Sequence, residues 1–263
     1  MENIEFRKGA IKASDCIAEG WNFIKSNYWL FVGMVVVETI IGIAASFIPY
    51  AGEFINVIVG GALACGIYIA LLAQRRKENV PFSLMFEGFS RVVPTTLVQL
   101  ISAVPLILFG LAASSFISMP PALAPDGGNI AEVQAAIFNP DFLVLLITAG
   151  SVVFIVSMIF NLLLFFALPL IAERNAGIGE ALRLSAAAGL NNIGGLIVLL
   201  IFEILLAIAG ALACGVGIIF VLPVIYAANI AAYKRVFPDE NPQFNAEPPR
   251  PEDYGGTYGT PRQ

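Results

Sequence analysis

Long apolar runs separated by short polar stretches dominate this chain. Six runs, residues 28–48, 54–72, 92–116, 142–168, 193–213 and 216–233, contain almost no charge. A bilayer's hydrocarbon core is about 30 Å thick, and a helix rising about 1.5 Å per residue crosses it with about 20 apolar residues. The pattern therefore predicts an all-α fold, a polytopic membrane bundle of six transmembrane helices. The fourth run stays apolar to Ala172, which is long for one span. Pro169 is expected to kink it, or the run must tilt or project into the interface. Only Cys214-Gly215 joins the last two runs, which predicts a tight hairpin.

The polar stretches before the first, third and fifth spans have a helical period of their own. In the first, Lys12, Asp15, Glu19 and Asn22 form one stripe and Ile17, Trp21 and Ile24 another. In the second, Phe82, Met85, Phe86 and Phe89 oppose Ser83, Glu87 and Ser90. The third, residues 178–190, carries Glu180 and Arg183 on its polar edge. These predict three short cytoplasmic interfacial helices, acting either as headgroup-level anchors or as a collar for lipid or a partner. The expected organisation is a cytoplasmic N-terminal segment (1–27), a six-span membrane domain (28–237) and a disordered cytoplasmic tail (238–263) rich in proline and acid.

Composition narrows the function classes. Of the 263 residues 58% are hydrophobic and only 13% charged, against about 25% charged in soluble domains. A water-soluble enzyme and a nucleic-acid binder are excluded. There is no histidine, so no imidazole base or histidine metal ligand is present. Cys16, Cys65 and Cys214 lie too far apart for a metal cluster or disulfide framework. No cofactor is implied. With six spans, all 14 Lys and Arg fall on one side, which places both termini in the cytoplasm.

Residues 117–141 then face outward, with turn signals at Pro120-Pro121 and Asp126-Gly127-Gly128-Asn129. A shift of 165 residues aligns Asn27 with Asn192, Glu38 with Glu203 and Ile43 with Ile208. Three identities in the 29 positions from Asp15 to Ile43 are within what a Leu/Ile/Val-rich chain gives by coincidence. Small-residue runs such as Gly60-Gly61-Ala62 permit close helix packing, within the chain or at a homo-oligomer or membrane-partner face. Tyr28, Trp29, Tyr50 and Tyr233 fit an interfacial aromatic belt in contact with membrane lipid.

Two stretches carry a family resemblance. One is Leu168-Pro169-Leu170-Ile171-Ala172-Glu173 followed by Ile178-Gly179-Glu180-Ala181-Leu182-Arg183-Leu184-Ser185; the other is Tyr233-Lys234-Arg235-Val236-Phe237. With the order of interfacial helix and hairpin, residues 11–237 resemble the uncharacterised bacterial six-span families that include the membrane domain of glycerophosphoryl diester phosphodiesterases and the YciC-like proteins. The resemblance implies a multi-pass inner-membrane protein. It implies no catalysis, because nothing here corresponds to the soluble phosphodiesterase domain, and it carries over no active-site residue.

The candidate chemistry lies inside the spans. Glu38 and Glu203 each sit ten residues from the ends of their runs, and an acid at that depth costs about 2.5–3.5 kcal/mol on insertion scales. Both are therefore expected to face the bundle interior. With no Lys or Arg in any span, the neutral form is favoured, hydrogen-bonded to Gln99, Asn161, Asn56, Asn229 or backbone carbonyls. One reading is interhelical glue in a non-enzymatic envelope scaffold or lipid-environment protein. The other is a proton- or cation-linked transporter or channel centred on Glu38, Glu203, Gln99 and Asn161, with carbonyls freed by Pro105 and Pro223.

Overall fold

A backbone in hydrocarbon must satisfy its own hydrogen bonds, so the apolar runs become helices. The computed structural model describes residues 6–49, 51–116, 140–213 and 215–239, and every regular element among them is helical. Tyr50, Cys214, the stretch 117–139 and the tail from 240 onward lie outside the described residues. The elements are α1 (Ala13–Ile24), α2 (Tyr28–Ser46), α3 (Gly52–Arg75), a 3-10 helix η1 (Phe82–Arg91), α4 (Val92–Phe116), α5 (Pro140–Leu164), α6 (Ala167–Arg174), α7 (Ile178–Asn191), α8 (Ile193–Leu212) and α9 (Gly217–Val236). Six stretches are long and apolar enough to cross a membrane: Tyr28–Ser46, Gly52–Arg75, Phe82–Gly110, Ile147–Arg174, Ile193–Leu212 and Gly217–Val236.

The surface of the bundle is apolar. Phe47 and Leu212 are each 81% exposed, and Ile147 and Phe154 each 66%. Water does not tolerate so extensive an apolar surface, whereas lipid does. Burial concentrates elsewhere. From Gly61 to Ala73, α3 is buried at every position but Ile69, and Phe31, Phe166, Tyr233 and Phe237 are fully buried. The last three stack edge to face or tilted, with Phe166 5.7 Å and Tyr233 5.3 Å from Phe237.

The three short helices are present, each with small residues on its buried face. In α1 the buried residues are Ala13, Cys16, Gly20 and Ile24, packed along α9, while Trp21 is 44% exposed. A Cβ on Gly20 would lie 2.7 Å from Ala228 N, so small side chains let this pair approach. In η1 the side chains repeat every three residues, which puts Met85 and Gly88 on the buried face and leaves Phe82, Phe86 and Phe89 exposed. Here backbone meets backbone: a Cβ on Gly88 would lie 1.9 Å from Ala62 O, and one on Gly66 1.8 Å from Met85 O. α7 buries Ala181, Leu184, Ser185, Ala188 and Gly189 and leaves Glu180 and Arg183 outside.

The long fourth run neither tilts as one rod nor kinks at Pro169. It breaks at Phe165-Phe166, between α5 and α6. The buried Ser185 hydroxyl completes the break, donating to Leu163 O (2.7 Å) and accepting from Phe166 N (3.0 Å). Pro169 then falls in the first turn of α6, where its missing N–H costs nothing.

Helix boundaries also obey the 165-residue shift. α1 and α7 begin at Ala13 and Ile178, α2 and α8 at Tyr28 and Ile193, α3 and α9 at Gly52 and Gly217. Asn27 and Asn192 precede their spans with φ −123° in both and ψ 26° and 15°. Each hairpin closes on the same contact: a Cβ on Gly52 would lie 2.3 Å from Ala45 O, and one on Gly217 2.4 Å from Gly210 O. The chain thus contains two copies of one unit, short helix, span, tight hairpin and span, flanking η1, α4, α5 and α6.

Candidate functional site

Glu203 enters the bundle because of its position on α8. The buried positions of that helix, Leu196, Leu199, Glu203 and Gly210, fall at the three- and four-residue spacing of one face. Glu203 is 9% exposed, and its Oε1 has no hydrogen-bond partner among the described residues. On α9, Asn229 donates from Nδ2 to the Tyr68 hydroxyl (3.4 Å), and its Oδ1 is likewise buried without a partner.

Both residues line a cavity of about 420 Å³, together with Tyr68 of α3, Gln99 and Ser102 of α4, and Ser157 and Asn161 of α5. This is within the usual range for a small-molecule site, about 300–1,000 Å³. Phe154, Met158, Leu162, Leu200 and Ile204 supply apolar wall. Asn161 and Ser102 give their hydrogens to carbonyls of their own helices, Ser157 O (2.8 Å) and Val98 O (3.0 Å). α5 packs on α4 and α7 and barely meets α8. The cavity therefore opens between α5 and α8, where Phe154, Asn161 and Ile204 are exposed on the apolar outer surface.

Of the four residues singled out in the sequence, Glu203, Gln99 and Asn161 line this cavity and Glu38 does not. Glu38 accepts the Tyr226 hydroxyl instead, at 3.2 Å on Oε1 and 3.3 Å on Oε2. The Tyr226 ring stands edge-on to that of Tyr68, with centroids 5.4 Å apart. The two acids are thus separated by the tyrosine pair, and a line of polar groups runs from Glu38 through Tyr226 and Tyr68 to Asn229. It is interrupted at the ring contact, which carries no hydrogen bond. Asn56 takes no part, since it donates to Ser46 Oγ (3.3 Å) near the α2–α3 hairpin. Sequence reasoning missed Tyr68 and Tyr226, whose only signal is a hydroxyl inside an apolar run.

A second polar cluster joins the ends of α3, α6 and α9. Lys234, its side chain 2% exposed, pairs with Glu173 and Asp239. Tyr233 donates to Glu173 Oε2 (2.7 Å), and Arg75 meets Asp239 at 2.8 Å. Arg235 reaches Asp15 (3.3 Å) and Glu19 (3.2 Å) on α1, while Arg91 donates to Ala172 O and Asn175 Oδ1, both at 3.0 Å. Burial pushes the Asp239 carboxyl up, but hydrogen bonds from Lys234 and Arg75 outweigh it and hold the group below the usual aspartate value. This cluster brings together the two stretches around Glu173 and Lys234 that are far apart in the sequence.

Burial pushes the Cys16 thiol up to about 11, so it stays protonated and inert. Among the described residues no three of His, Cys, Asp and Glu gather as a metal site would require. No family model matches this chain, and neither does any curated protein or solved structure.

Proposed function

We propose that this chain is a non-enzymatic, multi-pass protein of the bacterial inner membrane, with cytoplasmic termini and a lipid-environment role in the envelope, in which it holds a membrane-dissolved amphiphile beside Glu203. The one-sided distribution of Lys and Arg supports the orientation, and the resemblance to six-span bacterial families supports the compartment. The observation that carries the function is the missing partner of Glu203 Oε1 on the cavity wall. A carboxyl serving only as glue would be hydrogen-bonded to a facing helix. The test is the lipid that co-purifies with the protein, measured by mass spectrometry for the parent and for Ser157→Phe, which fills the cavity. We expect a defined species in the parent and its loss in the variant. Identical profiles would refute the reading.

A second reading, proton- or cation-linked transport, is favoured by the line Glu38–Tyr226–Tyr68–Asn229. In vesicles it requires flux that disappears in Glu38→Gln and Glu203→Gln with folding intact, because an amide releases no proton near neutral pH. Parent flux equal to that of empty vesicles would rule it out.

A further inference from the structure

The chemistry of the head that this cavity takes follows from the polar atoms on its wall, and this inference rests on the binding reading above. Two acceptor oxygens, Glu203 Oε1 and Asn229 Oδ1, are buried with no donor among the described residues. A buried acceptor left without a donor is costly, so Asn229 Oδ1 calls for a hydrogen, and so does Glu203 Oε1, whether the carboxyl is ionised or carries its proton on Oε2. No donor of the wall reaches either oxygen: Ser102 and Asn161 donate to their own helices, an Asn229 amide hydrogen goes to Tyr68, and the Tyr68, Gln99 and Ser157 donors, which also line the cavity, make no hydrogen bond to Glu203 Oε1 or Asn229 Oδ1. No Lys or Arg lines this wall, so an anionic head such as a phosphate or carboxylate would be desolvated without a counter-charge beside an acid.

Space for a chain adjoins the polar end. A second cavity of about 410 Å³, also lined without Lys or Arg, shares Ser102, Ser157 and Asn161 with the first and continues between α4 and α5 past Leu106 and Phe109. A Cβ at Gly150 on this trough would meet nothing within 4 Å. We propose that the cavity binds a long-chain amphiphile whose head is a hydrogen-bond donor without negative charge, a hydroxyl or an ammonium, seated on Glu203 and Asn229 with its chain in the α4–α5 trough.

The test uses the full chain in phosphatidylcholine nanodiscs with four photoactivatable C12 probes: an amine, an alcohol, a methyl ether and a carboxylate. The amine or the alcohol should label peptides of α5 and α8 about tenfold more than the ether or the carboxylate, the ratio that one retained hydrogen bond supports. Preference for the amine identifies an ammonium and preference for the alcohol a hydroxyl; either result supports the proposal. Glu203→Leu should erase the preference while labelling persists. Displacement from the parent by free dodecylamine or dodecanol, with dodecyl methyl ether as control, answers the same question if that variant does not fold. Equal labelling by the ether overturns the assignment of the head and leaves the binding reading standing, as does labelling by the carboxylate at the level of the alcohol. No probe labelling the parent above the Ser157→Phe background overturns both.

Discussion

Lys234 of α9 and Glu173 of α6 form an ion pair in which the lysine side chain is 2% exposed and the glutamate 13%. Lys234 also holds Asp239, which it shares with Arg75, so it bridges the two acids. Removing it leaves the mostly buried Glu173 without its cation and Asp239 with Arg75 alone, and breaking a buried pair costs about 3–5 kcal/mol. Glu173→Gln removes less, because Lys234 keeps Asp239 and the amide still accepts from Tyr233. Lys234→Met should therefore destabilise more than Glu173→Gln, by chemical denaturation in detergent micelles. Adding Glu173→Leu to Lys234→Met should recover part of the loss. Equal losses in the two single variants would show that Asp239 contributes nothing.

Asp239 links this cluster to pH. Its folded-state value is lower than its unfolded one, so its contribution is fully present above the ordinary aspartate value and is lost as pH falls through the lower, folded value. Thermal stability of the parent should fall more steeply than that of Asp239→Asn as pH is lowered from about 5 to about 3. The carboxylate is half exposed, so the difference will be small. Parallel curves would refute it.

Ser185→Ala should destabilise by about 1–3 kcal/mol, since it leaves the Phe166 amide and the Leu163 carbonyl unpaired in a buried place. Ser151→Ala is the control. That hydroxyl only bonds back to Ile147 O on an exposed helix face, and its loss should be near neutral. The two variants would be compared by unfolding in the same detergent.

Gly88→Ala and Gly66→Ala each place a Cβ within 2 Å of backbone on the other element. Overpacking typically costs about 1–3 kcal/mol and more where only backbone can move. Both variants should lose folded protein, as seen by size-exclusion chromatography. Gly60→Ala meets nothing within 4 Å and should purify like the parent.

Orientation can be read with reporter fusions. Insertions at Glu78 and Asn175 should report as cytoplasmic, and insertions at Gly52 and Gly215 as external, because every Lys and Arg falls on the side of the first pair. A cytoplasmic reading at Gly215 would overturn the six-span topology.

The sequence by itself determined the number of apolar helices, because length and hydropathy are properties of a single segment and lipid imposes the same requirement on each. It also placed Glu203, Gln99 and Asn161 inside spans, since a polar residue stands out in an apolar run. It did not reveal which of them meet. That Glu38 turns to Tyr226 while Glu203 faces a cavity depends on how α9 and α5 are placed, and any apolar residue on a lipid-facing position serves equally well. The same permissiveness hid the repeated unit: lipid demands only hydrophobicity, so identities are few, while Gly52 and Gly217 persist because backbone contacts a few ångströms away admit no side chain. The buried faces of α1 and η1 were likewise decided by packing. There, small residues bring backbones together and gain more contact than the larger apolar side chains that face outward.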